Sequence, residues 1–232
     1  MQWADGDLLH SHIEKHLRYP ASLAALRAKW VTLVRHLEAA QVAHGDLQHG
    51  NILVRGGSIQ LVDYDGMWVP ALSGRHATEI GHRAYQHPER SGQDYGQEID
   101  RFSALVIYLS LAALERDVTL WERFHTGDNL IFVREDFQQL GRSGIWQHLR
   151  RIGSREIDQL AAAVAAMVQQ HPMKVGNLDS VLKNPASYPA SSKAPTSIPA
   201  STPAQRVAPK PLPTPSQPSW MKKSGYRDHS DD

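Results

Sequence analysis

The side chains best suited to chemistry fall within one stretch of the sequence, from His44 to Gly66. In this stretch Asp46, Asn51 and Asp63 surround two short runs of β-branched and other apolar residues, separated by Gly56-Gly57. A Gly-Gly pair permits the positive φ values of a tight hairpin turn. Because the strands of a hairpin are antiparallel, the entrance at Asn51 and the exit at Asp63 return to the same side. The spacing therefore predicts that these polar side chains converge, as a metal–phosphate site requires.

Two predicted helices precede this stretch and lead the chain into it. Leu8 to Leu17 is predicted as a short helix, and a longer helix runs from Pro20 to about Ala40. The longer helix has an apolar stripe at helical spacing, made of Leu23, Leu26, Trp30, Leu33, Val34 and Leu37. In the short helix, His12 and His16 have the i, i+4 spacing of a zinc site, but the glutamate of the metalloprotease pattern does not directly follow the first histidine. A solvated helix face is the preferred interpretation.

Further helical patterns follow the hairpin. Residues 66–90 show no period and are predicted as a long, ordered loop. Ala104 to Leu114 is apolar almost all round and is predicted as a buried helix. The whole apolar run, Phe102 to Leu114, has 13 residues, whereas a bilayer-spanning helix takes about 20. Two more helices are predicted, at Arg155–Gln169 and at Asn177–Leu182.

The overall composition excludes several classes of partner. The 232 residues are 41% hydrophobic, which suffices for a sizeable core, and they carry a net charge of +1. This charge gives no reason to expect nucleic acid or a membrane surface as partner. The sequence has no cysteine, which excludes disulfides and thiolate metal sites. The first residues have neither the basic start nor the apolar core of a secretory signal, so a soluble, cytoplasmic protein is expected.

The composition changes at about Asn184. Ten of the 14 prolines lie between Pro185 and Pro218, interleaved with Ser, Thr and Ala. Such a segment cannot bury enough apolar surface to offset its ordering entropy. Residues 1–183 are therefore predicted as the folded domain and residues 184–232 as a Pro/Ser-rich disordered tail. The tail is expected to be a spacer, with docking of a protein partner as the alternative.

The central stretch resembles the active site of the protein-kinase-like superfamily. Asp46 and, five residues later, Asn51 match the catalytic loop H-R-D-L-x-x-x-N. Asp63-Tyr64-Asp65 stands at the position of the family's D-F-G. Asp100 stands where the family has the aspartate that starts its buried central helix. These motifs occur in the family's order and at its spacing.

The end of the family's activation segment has a counterpart as well. Four residues match G-T-P-x-Y-x-A-P-E in register: Gly81, Tyr85, Pro88 and Glu89. The resemblance implies a mainly α fold with a small β-hairpin, namely the C-terminal lobe of the protein-kinase-like fold. It also implies that Glu89 and Asp100 are structural, tying the segment end and the catalytic loop to the core. His44 is implied to be a packing and hydrogen-bonding residue.

The activity implied by the resemblance is phosphoryl transfer that depends on ATP and Mg²⁺. Asp46 is expected to orient an attacking hydroxyl and accept its proton, while Asn51 and Asp63 are expected to hold Mg²⁺. Asp65 is either a second metal contact or part of an Asp-Gly turn. Met1-Gln2-Trp3 resembles the hinge that joins the two kinase lobes and bonds the adenine. The partners implied are a nucleotide and a protein or small-molecule hydroxyl.

Several positions depart from the family pattern. Gly45 replaces the arginine that anchors a phosphorylated activation loop, so control by loop phosphorylation is less expected. Gln48 and Gly50 stand where kinases place a Lys or an Arg, so this loop lacks positive charge for the transition state. The His-Gly-Asp form is also similar to aminoglycoside and choline phosphotransferases.

The upstream half of a kinase nucleotide site has no counterpart. A kinase needs a Gly-rich loop and a strand lysine, but the sequence has no G-x-G-x-x-G motif, and Lys15 and Lys29 fall in helical patterns. The chain is therefore expected to begin at the hinge, with the N-terminal lobe absent and weak nucleotide affinity by itself. Three functions stay open: part of an active protein kinase, an inactive kinase-like binding module, and a small-molecule phosphotransferase.

Overall fold

The structure is a computed structural model that describes residues 5–187. The proposed hinge residues Met1, Gln2 and Trp3, and most of the predicted tail, lie outside the described residues. The described part is mainly helical, with one small antiparallel sheet. Its elements are β1 Asp7–Leu8, α1 Leu9–His16, α2 Pro20–Ala39, β2 Ile52–Arg55, β3 Ser58–Leu61, α3 Arg101–Arg116, α4 Thr119–Phe124, α5 Arg134–Gln138, α6 Gly144–Arg151, α7 Arg155–Val168 and α8 Leu178–Lys183, with 3₁₀ turns at Pro70–Leu72, Pro172–Lys174 and Pro185–Ser187.

The sheet contains the predicted hairpin and one further strand. β2 pairs with β3 in the register Arg55 to Ser58, so Gly56 and Gly57 form a two-residue turn. Both glycines have positive φ, 54° and 74°, which suits the twist of a tight hairpin. The added strand, β1, pairs with the other edge of β2. Its two residues are too few to show any sequence period, which is why it was not predicted.

The core is organised around α3, which packs against α2, α4, α7 and α8. All residues from Phe102 to Leu114 are buried, as their nearly continuous apolar character predicts. Trp30 of α2 is buried and donates from Nε1 to the main-chain oxygen of Ala104 at 3.0 Å. Within residues 5–187, no helix combines the length and the hydropathy needed to span a membrane.

An ion-pair network fastens three helices together at the far end of α3. Arg27 of α2 lies 2.9 Å from Glu115 of α3 and 2.6 Å from Glu156 of α7. Arg27 also donates to the hydroxyl of Tyr108 at 2.8 Å. Since the Arg27 and Glu115 side chains are mostly buried, this network keeps α2, α3 and α7 in one fixed relation.

Candidate active site

The loop that precedes the hairpin is held by one buried carboxylate. Asp100, directly before α3, accepts hydrogen bonds from the main-chain nitrogens of His44 (2.5 Å) and Gly45 (2.9 Å). Burial raises the pKa of Asp100, and the two backbone N–H groups act in the opposite direction. Asp100 therefore has the structural role expected from the sequence, because it fixes residues 44 and 45 to the central helix.

His44 connects this loop to the exit of the hairpin. Its Nε2 lies 2.9 Å from the main-chain oxygen of Val62, and its Nδ1 lies 3.3 Å from the main-chain nitrogen of Asp46. A neutral imidazole protonated at Nε2 satisfies both bonds. His44 thus has the packing and hydrogen-bonding role that the sequence indicates.

Asp46 is partly buried and receives three hydrogen bonds. Its Oδ1 accepts from the main-chain nitrogen of His82 at 2.6 Å. Its Oδ2 accepts from Asn51 Nδ2 and from Gln48 Nε2, each at 3.0 Å. Because donors from two separate segments hold both oxygens, the carboxylate has a fixed orientation.

Asn51 and Asp63 lie at the two ends of the hairpin, Asn51 before β2 and Asp63 after β3. The main-chain nitrogen of Val62 donates to the main-chain oxygen of Asn51 at 3.0 Å, which places Asp63 one residue from that contact. Asp63 is exposed, and its φ is 64°, a left-handed value that is uncommon for residues other than glycine. Within residues 5–187, the side chains of Asp63 and Asp65 make no hydrogen bond. Tyr64, which lies between them, donates from its hydroxyl to the main-chain oxygen of Leu61.

The segment after the hairpin returns to the loop and touches it closely. Ala43 and Trp68 exchange two backbone hydrogen bonds, at 3.0 and 2.8 Å. Between them, Gly45 has a φ of 85°, and a Cβ added to it would lie 2.1 Å from the main-chain oxygen of Gly66. Because of this close approach, no side chain fits at position 45 without a shift of the backbone.

Asn51 and Asp63 each carry a side-chain oxygen of the kind that binds a hard divalent cation. Asn51 uses Nδ2 for its bonds to Asp46, so its amide oxygen remains for another ligand, together with the carboxylate of Asp63. One amide and one carboxylate suit Mg²⁺, which keeps waters and substrate phosphates in its shell. A cage of three or more His, Cys, Asp or Glu side chains is not found among the described residues.

The two histidines at i and i+4 on α1 contact each other in the structure. The rings of His12 and His16 stack with centroids 4.1 Å apart. Nδ1 of His16 lies 2.8 Å from the main-chain oxygen of His12, so that nitrogen bonds within the helix.

The activation-segment match is split in the structure. Tyr85 is buried, and its hydroxyl lies 2.7 Å from Nδ1 of His49. The main-chain oxygen of Pro88 accepts from Arg134 at 2.6 Å. Glu89, by contrast, is exposed, and its carboxylate has no hydrogen bond or ion pair within residues 5–187. The expectation that Glu89 ties the segment to the core was therefore wrong, because its side chain faces solvent and the neighbouring residues make the ties.

Several contacts of the candidate site are not predictable from the sequence. The N–H of His82 is a main-chain donor, which no side-chain pattern reveals, although Gly81 before it has a φ of 79°. Arg90 is buried and donates to the main-chain oxygen of Gly45 at 2.8 Å and to Gln86. An arginine directly after a Pro-Glu pair resembles an ordinary surface residue, so its burial could not be predicted.

Four histidine rings, those of His10, His49, His82 and His125, form a group beside the loop. His49 lies with its ring centroid 4.9 Å from His10 and 6.2 Å from His82, and His10 lies 6.3 Å from His125. Burial, followed by the nearby histidines, lowers the pKa of His49 to about 4. The group is therefore uncharged at its centre at neutral pH.

Comparisons with known proteins give one partial similarity. No protein-family model matches the sequence. Calcium-dependent protein kinase 9 of Oryza sativa subsp. japonica is 33% identical to this chain over 121 residues. The match covers 49% of this chain and 21% of that kinase, so the chain spans about a fifth of the relative's length. The similarity supports a kinase-like relationship for about half of this chain.

Proposed function

We propose that these residues form the catalytic-loop half of a kinase-like phosphotransferase, which uses ATP and Mg²⁺ to phosphorylate a hydroxyl group. The observation that carries the proposal is the contact set of Asp46. Its carboxylate is fixed by Asn51, Gln48 and the N–H of His82, directly beside the hairpin end that presents Asp63. Phosphoryl transfer depends mainly on such positioning and on charge neutralisation.

In this proposal Asp46 is the proton acceptor. The acceptor oxygen bonds to the terminal phosphorus of ATP, the bond from that phosphorus to the bridging oxygen breaks, and ADP leaves. The hydroxyl proton passes to the Asp46 carboxylate. A general base must lie within hydrogen-bond reach in a fixed orientation, and the three hydrogen bonds to Asp46 supply that orientation.

Asn51 and Asp63 are proposed to hold the metal. When bound, Mg²⁺ neutralises charge on the phosphate oxygens and orients them. The left-handed backbone of Asp63 favours it over Asp65, because non-glycine residues in this region cost energy and cluster at functional sites. Asp65 then belongs to the turn that leads into Gly66.

The wider organisation is proposed in the same terms. Residues 1–183 correspond to a kinase C-terminal lobe, with α3 as its buried central helix after Asp100. Met1, Gln2 and Trp3 are assigned to the adenine hinge, and residues 184–232 to a Pro/Ser-rich tail that links to a protein partner. Lys15 pairs with Asp7, and Lys29 donates to the main-chain oxygen of Gly57, so neither lysine is assigned to ATP.

A small-molecule phosphotransferase is the second candidate, and two observations favour it. The close approach of Gly45 to Gly66 requires the His-Gly-Asp form, which is similar to that of aminoglycoside and choline phosphotransferases. The exposure of Glu89 also leaves the Pro88-Glu89 segment end, which is typical of protein kinases, without its expected structural tie. An inactive kinase-like binding module is the third candidate and follows if no nucleotide binds.

Calorimetry of the full 232-residue chain with Mg²⁺ and ATP tests the proposal. Because these residues include no Gly-rich loop, we expect weak binding, with a Kd of about 1 mM, or about 4 kcal/mol. Asp63→Asn should raise the Kd at least about fivefold, since one charged metal ligand is lost. Asp65→Asn is the matched control, because Asp65 lies two residues away and is also exposed, and it should leave the Kd unchanged.

The possible outcomes separate the candidates. Loss of binding in Asp65→Asn with retention in Asp63→Asn would move the metal role to Asp65. Heat that is independent of Mg²⁺ would contradict the metal site altogether. No binding by the unaltered chain at millimolar ATP would favour the inactive module.

A further inference from the structure

Arg90 occupies an unusual position behind the proposed catalytic loop. Its side chain is 7% exposed, and one nitrogen, Nη1, donates both to the main-chain oxygen of Gly45 (2.8 Å) and to Oε1 of Gln86. Gln86 is itself 1% exposed. A single buried guanidinium therefore connects the peptide before Asp46 with the segment that follows Gly81.

Both backbone polar groups of Gly45 are hydrogen-bonded. The N–H of Gly45 donates to Asp100, and its C=O accepts from Arg90. Since this C=O belongs to the peptide group that leads into Asp46, Arg90 sets the direction from which the Asp46 side chain leaves the backbone. Asp100 and Arg90 thus hold opposite ends of one residue.

The second hydrogen bond of Arg90 Nη1 reaches the segment that lies on the other side of Asp46. Residues 81–86 form a short connection in which His82 N–H donates to Asp46 Oδ1 at 2.6 Å and Gln86 accepts from Arg90. A Cβ on Gly81 would lie 2.8 Å from both Asp46 Oδ1 and Gly45 O. The segment is packed so closely against the loop that a shift of one moves the other.

We propose that Arg90 is a positioning residue for Asp46, and that it holds the activation segment against the catalytic loop without phosphorylation. This inference rests on the proposed function for the importance of Asp46. In kinases an arginine directly before the catalytic aspartate anchors a phosphorylated segment, but here the backbone of Gly66 fills that space. Arg90 contacts the catalytic loop from the segment itself, so the connection needs no phosphate group.

The electrostatic surroundings agree with this arrangement. Burial lowers the pKa of Arg90, and the nearby carboxylates of Asp100, Asp46 and Asp94 oppose that effect. Within the described residues, Nε and Nη2 of Arg90 have no hydrogen-bond partner. A buried cation with unused hydrogen-bond donors is energetically costly unless carboxylates lie beside it. This cost favours a specific role for Arg90 over simple packing.

The test compares Arg90→Gln with Arg83→Gln in the full chain, without metal or nucleotide. Arg83 lies on the same segment but is exposed, and its guanidinium makes no hydrogen bond or ion pair with any described residue. The readouts are the amide exchange rates of Gly45 and His82 and the amide proton shift of His82, measured by NMR. In Arg90→Gln we expect exchange at both amides to be about tenfold faster, equivalent to about 1.4 kcal/mol, and the His82 proton to move upfield.

Amides in α3 provide the control for global stability. They should exchange at the unaltered rate in Arg90→Gln, and Arg83→Gln should leave every amide unchanged. Unaltered exchange and shift at His82 in Arg90→Gln would overturn the proposal, as would an equal increase throughout α3. If Arg90→Gln does not fold, Arg90→Lys, which keeps the charge but not the planar donors, should show the same local increase.

Two further outcomes are decisive. Wild-type behaviour of Arg90→Lys would overturn the role of the guanidinium geometry, and failure of both variants to fold would make Arg90 purely structural. Because no nucleotide is present, this test can fail while the proposed function stands, and the calorimetric test can fail while the Arg90 connection is confirmed.

Discussion

One nitrogen of Asn51 donates to two oxygens of Asp46, the main-chain oxygen and Oδ2, each at 3.0 Å. This relationship gives the amide a single orientation, with Nδ2 toward Asp46 and the amide oxygen free for a ligand. Asn51 therefore has two roles that are chemically linked. It fixes the proposed proton acceptor, and it supplies a proposed metal ligand.

Asn51→Asp should destabilise the fold, because it replaces this donor with a second carboxylate beside Asp46. We expect a loss of about 2 kcal/mol in the free energy of unfolding, from the lost hydrogen bonds and the repulsion. Urea denaturation at pH 7 measures the change. Asn184→Asp is the control, since Asn184 is exposed at the end of α8 and should change stability by less than about 0.5 kcal/mol. Equal stability of the two variants would contradict the described contacts.

Gly45→Ala should be far more damaging than Gly56→Ala, although both glycines have positive φ. Gly56 has no atom within 4 Å of an added Cβ, so alanine there costs only backbone strain, about 1 kcal/mol. At Gly45 the same Cβ meets the oxygen of Gly66 at 2.1 Å, and we expect a total cost of about 3 kcal/mol or more. Thermal unfolding of the two variants gives the comparison. A similar loss in both would show that the two segments do not approach each other so closely.

The stability of the chain should decrease as the pH falls from about 6.5 to about 4. The pKa of His49 is lowered to about 4 in the folded chain, mainly by burial. Between these two pH values the unfolded chain therefore binds a proton at His49 more tightly than the folded chain does. The free energy of unfolding falls through that window, by at most about 3 kcal/mol. His10, His12 and His87 have pKa values lowered in the same direction, so they add to the slope.

His49→Gln isolates the contribution of this residue. Glutamine does not titrate and can still accept from the Tyr85 hydroxyl, so the dependence of stability on pH should become shallower between pH 6.5 and 4. Urea denaturation across this range measures it. An unchanged slope would mean that other histidines account for the effect.

Arg27→Gln should cost about 2 kcal/mol of stability, because it leaves the mostly buried Glu115 and the Tyr108 hydroxyl without their partner. Arg35→Gln, on the same helix, removes the more exposed ion pair with Asp179 and should cost less than about 1 kcal/mol. Both variants remove one positive charge, so denaturant unfolding compares a mostly buried ion-pair network with a more exposed ion pair. A larger loss for Arg35→Gln would contradict the assignment of the network.

The hairpin and the long helices could be predicted because local signals decide them. Gly56-Gly57 forms the expected turn, and the apolar run before Leu114 forms the expected buried helix. Asp100, recognised by its place before that helix, fixes the loop as expected. Each of these features depends on residue type and spacing within a short window.

The remaining parts of the candidate site depend on contacts between distant segments. The N–H of His82 and the burial of Arg90 arise only when residues 81–90 fold against the loop, and no periodicity marks them. The prediction for Glu89 failed for the same reason, because a motif position does not determine which side chain turns inward. Gln48 was noted only as a missing charge, whereas its amide contacts Asp46 directly.

The most direct test of the metal site uses Mn²⁺ in place of Mg²⁺, with ATP, and follows paramagnetic broadening of the NMR signals of the full chain. We expect the signals of the side-chain amide of Asn51 and the backbone amide of Asp63 to broaden first, before those of His12 and His16. The broadening should disappear in Asp63→Asn. Broadening that begins at the histidines of α1, or that persists in Asp63→Asn, would contradict the proposed metal site at Asn51 and Asp63.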